Sequence, residues 1–139
     1  MEKDPNGIDQ HTPGAKLDDG KPMVALMMSG FSLALLEVAR VTTFGAKKYT
    51  PNGWLHVPDG VNRYNDAKQR HALYEMTGEV FDSDSGLMHA AHEAWNALAK
   101  LELQLRARKT QPSLLTSGIL QTPPFRSALE GLMRNDLVA

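Results

Sequence analysis

The stretch MVALMMSGFSLALLEVARVTTF, residues 23–44, decides the fold class. Its apolar residues recur at helical spacing, at positions 24, 27, 28, 31, 35, 38 and 41. Further apolar residues fill much of the opposite face, so the pattern predicts one helix that is buried on several sides and capped by Gly45. Polar residues interrupt the stretch, which argues against a membrane span.

Two more helices are predicted downstream. The second begins near Pro58, with Asp59 as its candidate N-cap, and runs past Tyr74 until Gly78 ends or kinks it. The third runs from about 85 to 108, with Trp95 on its core side, and no window predicts a β-strand. The prediction is an all-α helical bundle in one domain. It has an N-terminal arm at 1–22, a helical domain at 23–109, and a linker and C-terminal arm with a tail helix at 110–139.

Composition excludes several classes of function. Fifteen Lys and Arg against sixteen Asp and Glu give a net charge of -1, so we predict no binding to nucleic acid. The absence of Cys excludes disulfides, thiolate-bound zinc and thiol nucleophiles, and it suits a reducing cytoplasm. No apolar run follows the N-terminus, so neither a secretory signal nor a membrane partner is expected. Because the chain has no Cys, any metal must be held by oxygen or imidazole ligands.

Residues able to bind a metal line up on the second and third predicted helices. At about 100° per residue, one arc of roughly 80° holds His71, Glu75, Glu79 and Asp82, provided that the second helix continues through Gly78. An arc of roughly 100° on the third helix holds His89, His92, Glu93 and Asn96. The two faces meet in an antiparallel hairpin, and their ligands suit Mg²⁺ or Mn²⁺, with Zn²⁺ left open. Alternatively, the carboxylates are caps and surface charges, and the histidines are satisfied locally.

Phosphate-binding and base-stacking side chains occur outside these helices. Lys47 and Lys48 stand beside Tyr49 and Trp54, a combination that binds phosphate and stacks on a base, or that packs the loop onto the core. Arg70 adds another possible phosphate contact.

The N-terminal arm has its own lysines. Lys16 and Lys21 either reach over an anion or belong to a flexible arm, and the sequence leaves both open. The segment is not a P-loop, because Pro22 stands where that motif has Ser or Thr and no strand precedes it.

Several short motifs together resemble those of a phage-encoded family, the dATP/dGTP diphosphohydrolases, which are linked to the MazG-like all-α nucleotide pyrophosphohydrolases. The resemblance covers residues 14–105. The matching motifs are KLDDGK at 16–21, FGAKKY at 44–49 with Trp54, RY at 63–64 with Ala67, RH at 70–71, GE at 78–79 with Asp82, SG at 85–86, and His89, His92 and Trp95-Asn96.

This resemblance implies cleavage of a purine deoxynucleoside triphosphate between its α- and β-phosphates, in the host cytoplasm, by a bundle that needs Mg²⁺ or Mn²⁺. Glu79 and Asp82 would be the catalytic metal ligands. Secondary ligands or orienting groups would be Glu93, Asn96, His89 and His92. The triphosphate would be held by Lys16, Asp18, Lys21, Lys47, Lys48, Arg70 and His71, and the purine covered by Tyr49 or Trp54.

Two other functions are weighed against this one. A triphosphohydrolase of the HD type is disfavoured, because no His is followed by Asp in the chain. A non-catalytic helical module that binds a nucleotide or a protein stays open. In either case the first helix is apolar on nearly every side, which predicts a homo-oligomer. The resemblance implies that this oligomer is a dimer or tetramer. The choice among dATP, dGTP and ribonucleotides is not encoded in any of these motifs.

Overall fold

The computed structural model describes residues 1–111, and the elements of this part are helical. Helix α1 spans Val24–Gly30, α2 spans Ser32–Lys48, α3 spans Gly60–Met76 and α4 spans His89–Thr110, with a short 3₁₀ turn at Gly53–His56. The only β pairing in residues 1–111 is one isolated bridge between Phe81 and Met88. The all-α prediction is thus confirmed. The predicted C-terminal arm and its tail helix lie, beyond Gln111, outside the described residues.

The first predicted helix is two helices, not one. The chain leaves helical geometry at Phe31, and α1 and α2 meet at an angle of 88°. Gly30 weakens the helix at this point, and Ser29 donates its hydroxyl to the carbonyl of Leu26, which adds to the bend. The prediction that Gly45 caps the helix is also wrong, because α2 continues to Lys48, where two lysines complement the helix dipole.

Helix α1 buries none of its residues. Its large side chains and those at the start of α2 form an exposed apolar surface, named here the α1–α2 surface: Val24, Leu26, Met27, Met28, Phe31, Leu33 and Leu36. Among residues 1–111, no single helix is both long enough and apolar enough to cross a membrane. Only the bent pair of α1 and α2, taken together, has that length and composition.

Helices α3 and α4 form the antiparallel hairpin at the centre of the fold. Lys100 on α4 donates to the side chain of Asn65 on α3 at 3.0 Å, and a Cβ on Gly60 would meet Leu103. In the described part of the chain the buried apolar residues are small, Val41 on α2 with Ala91 and Ala99 on α4. Small residues let the helix backbones approach closely, so most of the contact between elements is made by α3 with α4.

The connection between α3 and α4 starts with a tight helix end at Gly78. This glycine has φ 92°, and its N–H donates to the carbonyl of Glu75 at 3.0 Å, while the N–H of Glu79 donates to the carbonyl of Tyr74 at 3.1 Å. These two bonds and the left-handed glycine make a Schellman motif, which ends a helix. The condition that α3 continue through Gly78 is therefore not met, and Glu79 and Asp82 lie on a loop.

The loop 79–88 is held by its own hydrogen bonds. The N–H of His89 donates to the carbonyl of Val80 at 3.0 Å, and that of Asp82 to Leu87 at 2.8 Å. The carboxylate of Asp82 accepts the N–H of Ser85 at 2.9 Å. Because these residues satisfy one another in the loop, α4 starts at His89 and not near residue 85 as predicted.

We predict that Ala99→Leu destabilises the protein by about 1–3 kcal/mol, because Ala99 is buried and the added methylenes would force α3 and α4 apart. The measurement is denaturant unfolding at a fixed protein concentration. Ala97→Leu, on the exposed side of the same helix, is the control and should change stability by less than about 0.5 kcal/mol. Equal effects of the two substitutions would contradict the packing described here.

Candidate functional site

An open cleft of about 810 Å³ lies between α2, the 3₁₀ turn, α3, α4 and the loop 79–88. Eight of the side chains predicted from sequence line it: Lys48, Tyr49, Trp54, Arg70, His71, Asp82, His92 and Asn96. Seven others do not: Lys16, Asp18, Lys21, Lys47, Glu79, His89 and Glu93. The cleft therefore joins residues from five elements that are separated in the sequence.

Three histidines meet at one end of the cleft. Nδ1 of His71 lies 2.8 Å from Nδ1 of His89. The ring of His71 stacks on the ring of His92, with centroids 4.6 Å apart and planes 11° apart. His89 and His92 are buried and His71 is half-buried, so the hairpin contains polar rings where a helical pair normally packs apolar side chains. This group, with Asp82, is named here the histidine cluster.

Asp82 reaches the histidine cluster from the loop. Its Oδ2 accepts the N–H and the hydroxyl of Ser85, and the Ser85 hydroxyl is 2.7 Å from Nε2 of His92. Burial by itself would raise the pKa of the Asp82 carboxyl, but the hydrogen bonds from Ser85, assisted by the electrostatic effect of the neighbouring His92 and His71, lower it. Asp82 is thus held as a carboxylate beside the imidazoles.

Glu79 approaches the cluster from its other side. Its Oε1 lies 3.3 Å from Nε2 of His89, although the carboxylate itself is well exposed. That nitrogen is buried and makes no hydrogen bond within the described residues, and the ring of Tyr74 stacks on the imidazole at 5.4 Å. The two carboxylates predicted to be catalytic therefore both reach histidines, one on each side.

Burial has a clear electrostatic effect on the histidines. It lowers the pKa of His71 from 6.5 to about 4, assisted by the neighbouring His92 and His89. It also lowers the pKa of His92, against the attraction of Asp82. At neutral pH both rings are uncharged, and an uncharged imidazole has a lone pair free to accept a proton or bind a cation.

The cationic side of the cleft is formed by Lys48 and Arg70. The ammonium of Lys48 pairs with Asp84 across the mouth of the cleft, and that hydrogen bond raises the pKa of the lysine. The same nitrogen lies 5.6 Å from the ring of Phe44 and 5.7 Å from that of Tyr49. The sequence analysis missed Asp84 as a partner, because a contact across 36 residues leaves no local pattern.

Aromatic rings form a wall of the cleft away from the histidine cluster. Trp54, Tyr64 and Trp95 pack edge to face with centroids 5.5–6.2 Å apart. The indole N–H of Trp95 donates to the hydroxyl of Thr42 at 3.0 Å, and the hydroxyl of Tyr64 donates to the carbonyl of Trp54 at 3.1 Å.

Two members of this wall were not predicted as site residues. Trp95 was expected in the core, but it lines the cleft and is only half-buried. The spacing of Tyr64, seven residues before His71, puts both on one face of α3 and was the available signal.

The lysines of the N-terminal arm are engaged within the arm. Asp4 is buried, and its carboxylate accepts the N–H groups of Asn6, Ile8 and Lys16. Lys16 pairs with Asp18 and Lys21 with Glu2. In the described part of the chain these side chains are therefore not brought to the cleft.

Two further acidic residues of the predicted faces do not join the cluster. Glu75 is exposed near the end of α3, and Glu93 is half-buried on α4. The group with metal-ligand spacing in residues 1–111 consists of His71, Asp82 and His89, whose ligand atoms lie within 4.8 Å of one another. The donor set fits a divalent cation, because it combines a carboxylate with two imidazoles.

The chain is similar to known proteins over most of the described residues. Residues 11–113 match the model of a family described as "dATP/dGTP diphosphohydrolase, N-terminal". The chain is also similar to a protein of Salmonella phage PMBT28 named "dATP/dGTP diphosphohydrolase", with 37% identity over 81 residues, 58% of this chain and 26% of the relative. The matched part thus spans about a quarter of that relative's length. No solved structure matches the chain.

We predict that, with divalent ions removed by a chelator, stability falls as the pH drops from 6.5 towards 4. The His71 side chain takes up a proton near pH 6.5 in the unfolded chain but only near pH 4 in the folded protein. The contribution of the uncharged ring to the free energy of unfolding is therefore complete above pH 6.5 and is lost progressively between pH 6.5 and 4. We expect a loss of about 1–3 kcal/mol, reduced from the full shift because part of the ring is open to solvent. Urea unfolding at each pH measures it.

The matched variants are His71→Gln and His56→Gln, the second being at an exposed position outside the cleft. His71→Gln should flatten the pH dependence and His56→Gln should not. A slope that survives in His71→Gln would show that another group is responsible.

Proposed function

The chain belongs to the family described as "dATP/dGTP diphosphohydrolase, N-terminal", and from that premise we propose that it hydrolyses dATP or dGTP to the nucleoside monophosphate and pyrophosphate. The observation that carries the proposal is the cleft itself. Its lining combines a carboxylate and imidazoles, an aromatic wall, and the cations Lys48 and Arg70. These are the groups needed to bind a metal, a base and a triphosphate.

The reaction requires one water per nucleotide. The water oxygen forms a new bond to one of the two phosphorus atoms, the bond from that phosphorus to the α,β-bridging oxygen breaks, the leaving phosphate group keeps the bridging oxygen, and the proton of the water is released to solvent. A divalent cation, Mg²⁺ or Mn²⁺, supplies charge neutralisation and lowers the pKa of water when it is bound. In the proposal Asp82 holds the cation, and Glu79 is the second carboxylate of the centre. Neither residue forms a covalent bond to the nucleotide.

Uncharged histidines suit the proton chemistry of this reaction. His71 lines the cleft with its pKa lowered to about 4, so at pH 7 its free nitrogen accepts hydrogen bonds or a ligand and carries no charge that would bind phosphate non-productively. His92 is fixed by the Ser85 hydroxyl, which also bonds Asp82. The network keeps the carboxylate and the imidazoles in one orientation before substrate arrives.

Substrate binding is assigned to the rest of the lining. Lys48 would exchange its partner Asp84 for phosphate oxygens, and Arg70 would contact the phosphates from α3. The purine would lie on the aromatic wall. Trp54 belongs to this wall and is also a ring that the sequence predicts to cover the purine. Lys16, Asp18, Lys21 and Lys47 stay outside the cleft in a single chain, so a role for them requires movement or a second copy.

An oligomer is part of the proposal. The α1–α2 surface exposes seven large apolar side chains, whereas the buried apolar residues within 1–111 are a valine and two alanines. A contiguous apolar surface of this kind is typical of an interface between subunits. We therefore propose a homodimer or tetramer, as the resemblance implies.

The biological setting is proposed from the similar protein of Salmonella phage PMBT28. That relative is a phage protein named for hydrolysis of dATP and dGTP. We propose that this chain lowers the purine deoxynucleotide pool of an infected cell, which would place it in the host cytoplasm.

We predict that the purified protein converts dGTP or dATP to the monophosphate and pyrophosphate with Mg²⁺ or Mn²⁺, and that a chelator abolishes turnover. The measurement is chromatographic separation of mono-, di- and triphosphates with parallel detection of pyrophosphate. Asp82→Asn and Glu79→Gln should each lower kcat at least about 100-fold while keeping the shape of the side chain, because the first removes ligand charge and the second removes the carboxylate that faces His89.

Each outcome of this assay has a defined meaning. Gln69→Glu, an exposed substitution on α3 outside the cleft, is the control and should retain activity. Inorganic triphosphate as the product would replace the proposal with a triphosphohydrolase. No turnover of any purine nucleotide would leave a binding module.

We also predict that Leu33→Glu converts the oligomer to a monomer, because it places a charge in the middle of the α1–α2 surface. Sedimentation velocity at micromolar concentration measures the mass. The same Gln69→Glu variant is the charge-matched control and should sediment as the wild type does. A wild-type protein that is already monomeric would refute the oligomer.

A further inference from the structure

The arrangement of donor atoms in the histidine cluster bears on which metal it binds. One ligand atom from each of His71, Asp82 and His89 lies within 4.8 Å of the other two. Two of these three donors are imidazole nitrogens, from α3 and α4, and only the third is an oxygen. A hard cation such as Mg²⁺ prefers six oxygen ligands and keeps much of its water, whereas transition-metal ions bind imidazole readily.

The surroundings orient the donors. Nε2 of His89 is buried, has no hydrogen-bond partner in residues 1–111, and lies 3.3 Å from Oε1 of Glu79. A histidine that binds metal through one nitrogen commonly turns its other nitrogen towards a carboxylate, which fixes the ring and strengthens the donor. His89 shows this arrangement, because its Nδ1 is the nitrogen that faces His71.

Asp82 is fixed in a comparable way. Its Oδ2 is taken by the N–H and the hydroxyl of Ser85, and in the described part of the chain Oδ1 has no such partner. Ser85 in turn contacts Nε2 of His92, whose ring stacks on that of His71. Each of the three donors is therefore held by a neighbour that does not itself compete for the ion.

We propose that His71, His89 and Asp82 form a binding site for one imidazole-binding transition-metal ion, of the class of Mn²⁺, Co²⁺ or Zn²⁺, which the site selects over Mg²⁺. Glu79 acts through His89 as a positioning residue for this ion. The inference rests on the proposed metal dependence and narrows it, but it concerns binding and does not need turnover to be observed.

The experiment is metal binding by the full chain. Protein stripped with a chelator and dialysed is titrated with Co²⁺ in the presence of a large excess of Mg²⁺, following the visible absorption of bound Co²⁺. Metal per chain is then counted by mass spectrometry after gel filtration. We expect one Co²⁺ per chain, with Mg²⁺ failing to displace it.

Three variants separate the roles. His71→Gln should weaken Co²⁺ binding at least tenfold and change the absorption spectrum, because it removes a direct donor. Glu79→Gln should weaken binding by about 10-fold without changing the number of nitrogen donors, as expected of a group that acts through a ligand. His56→Gln is the matched control at an exposed histidine and should bind as the wild type does.

A measurement on the wild-type protein tests the same proposal without depending on whether a variant folds. Pulsed electron paramagnetic resonance of bound Mn²⁺ should detect coupling to imidazole nitrogen, and labelling the histidines with ¹⁵N should shift it. Displacement of Co²⁺ by Mg²⁺ at comparable concentration, or no nitrogen coupling, would overturn the proposal. Stoichiometric Co²⁺ binding without nucleotide hydrolysis would support the metal site and contradict the proposed function. Hydrolysis with Mg²⁺ alone and no nitrogen-bound ion would support the proposed function and contradict the metal site.

Discussion

The structure depends on the need of buried polar side chains for partners within the α3–α4 hairpin. His89, His92 and Asn96 occupy the buried side of α4, where an ordinary helical pair carries leucine or valine. A buried polar group without a partner costs free energy of the order of 1–3 kcal/mol. The loop 79–88 provides a partner for His92 through the Ser85 hydroxyl, whereas Nε2 of His89 lies 3.3 Å from Glu79 but makes no hydrogen bond within residues 1–111. Asn96 is satisfied on its own helix, by the carbonyl of His92.

That constraint explains why the fold ends α3 where it does. The Schellman motif at Gly78 turns the chain so that Glu79 and Asp82 leave the helix and approach the histidines from two sides. A continuous helix would have kept both carboxylates at fixed angles on one face of α3. The small residues Ala91 and Ala99 bring the helices close together, which places His71 within hydrogen-bond distance of His89. The close packing of α3 on α4 therefore also sets the geometry of the histidine cluster.

The fold in turn gives the chain two unequal surfaces. The cleft collects the polar and aromatic residues, whereas the α1–α2 surface collects exposed methionine, leucine and phenylalanine side chains. Because residues 1–111 bury few apolar side chains, the stability of a single copy is expected to be modest, and association through the α1–α2 surface would add the burial that it lacks.

The sequence by itself determined the helical class, the positions of α3 and α4 to within a few residues, and most of the chemistry of the cleft. Helical spacing and the glycine at 78 are local signals, and residue types with metal or phosphate affinity can be read directly. Only the tertiary structure decided which of those residues meet. The break at Phe31, the pairing of Lys48 with Asp84 and the retention of Lys16 and Lys21 in the arm depend on contacts between distant segments. So does the grouping of His71 with Asp82 and His89, because a helix face predicts direction but not which loop residue will fold over it.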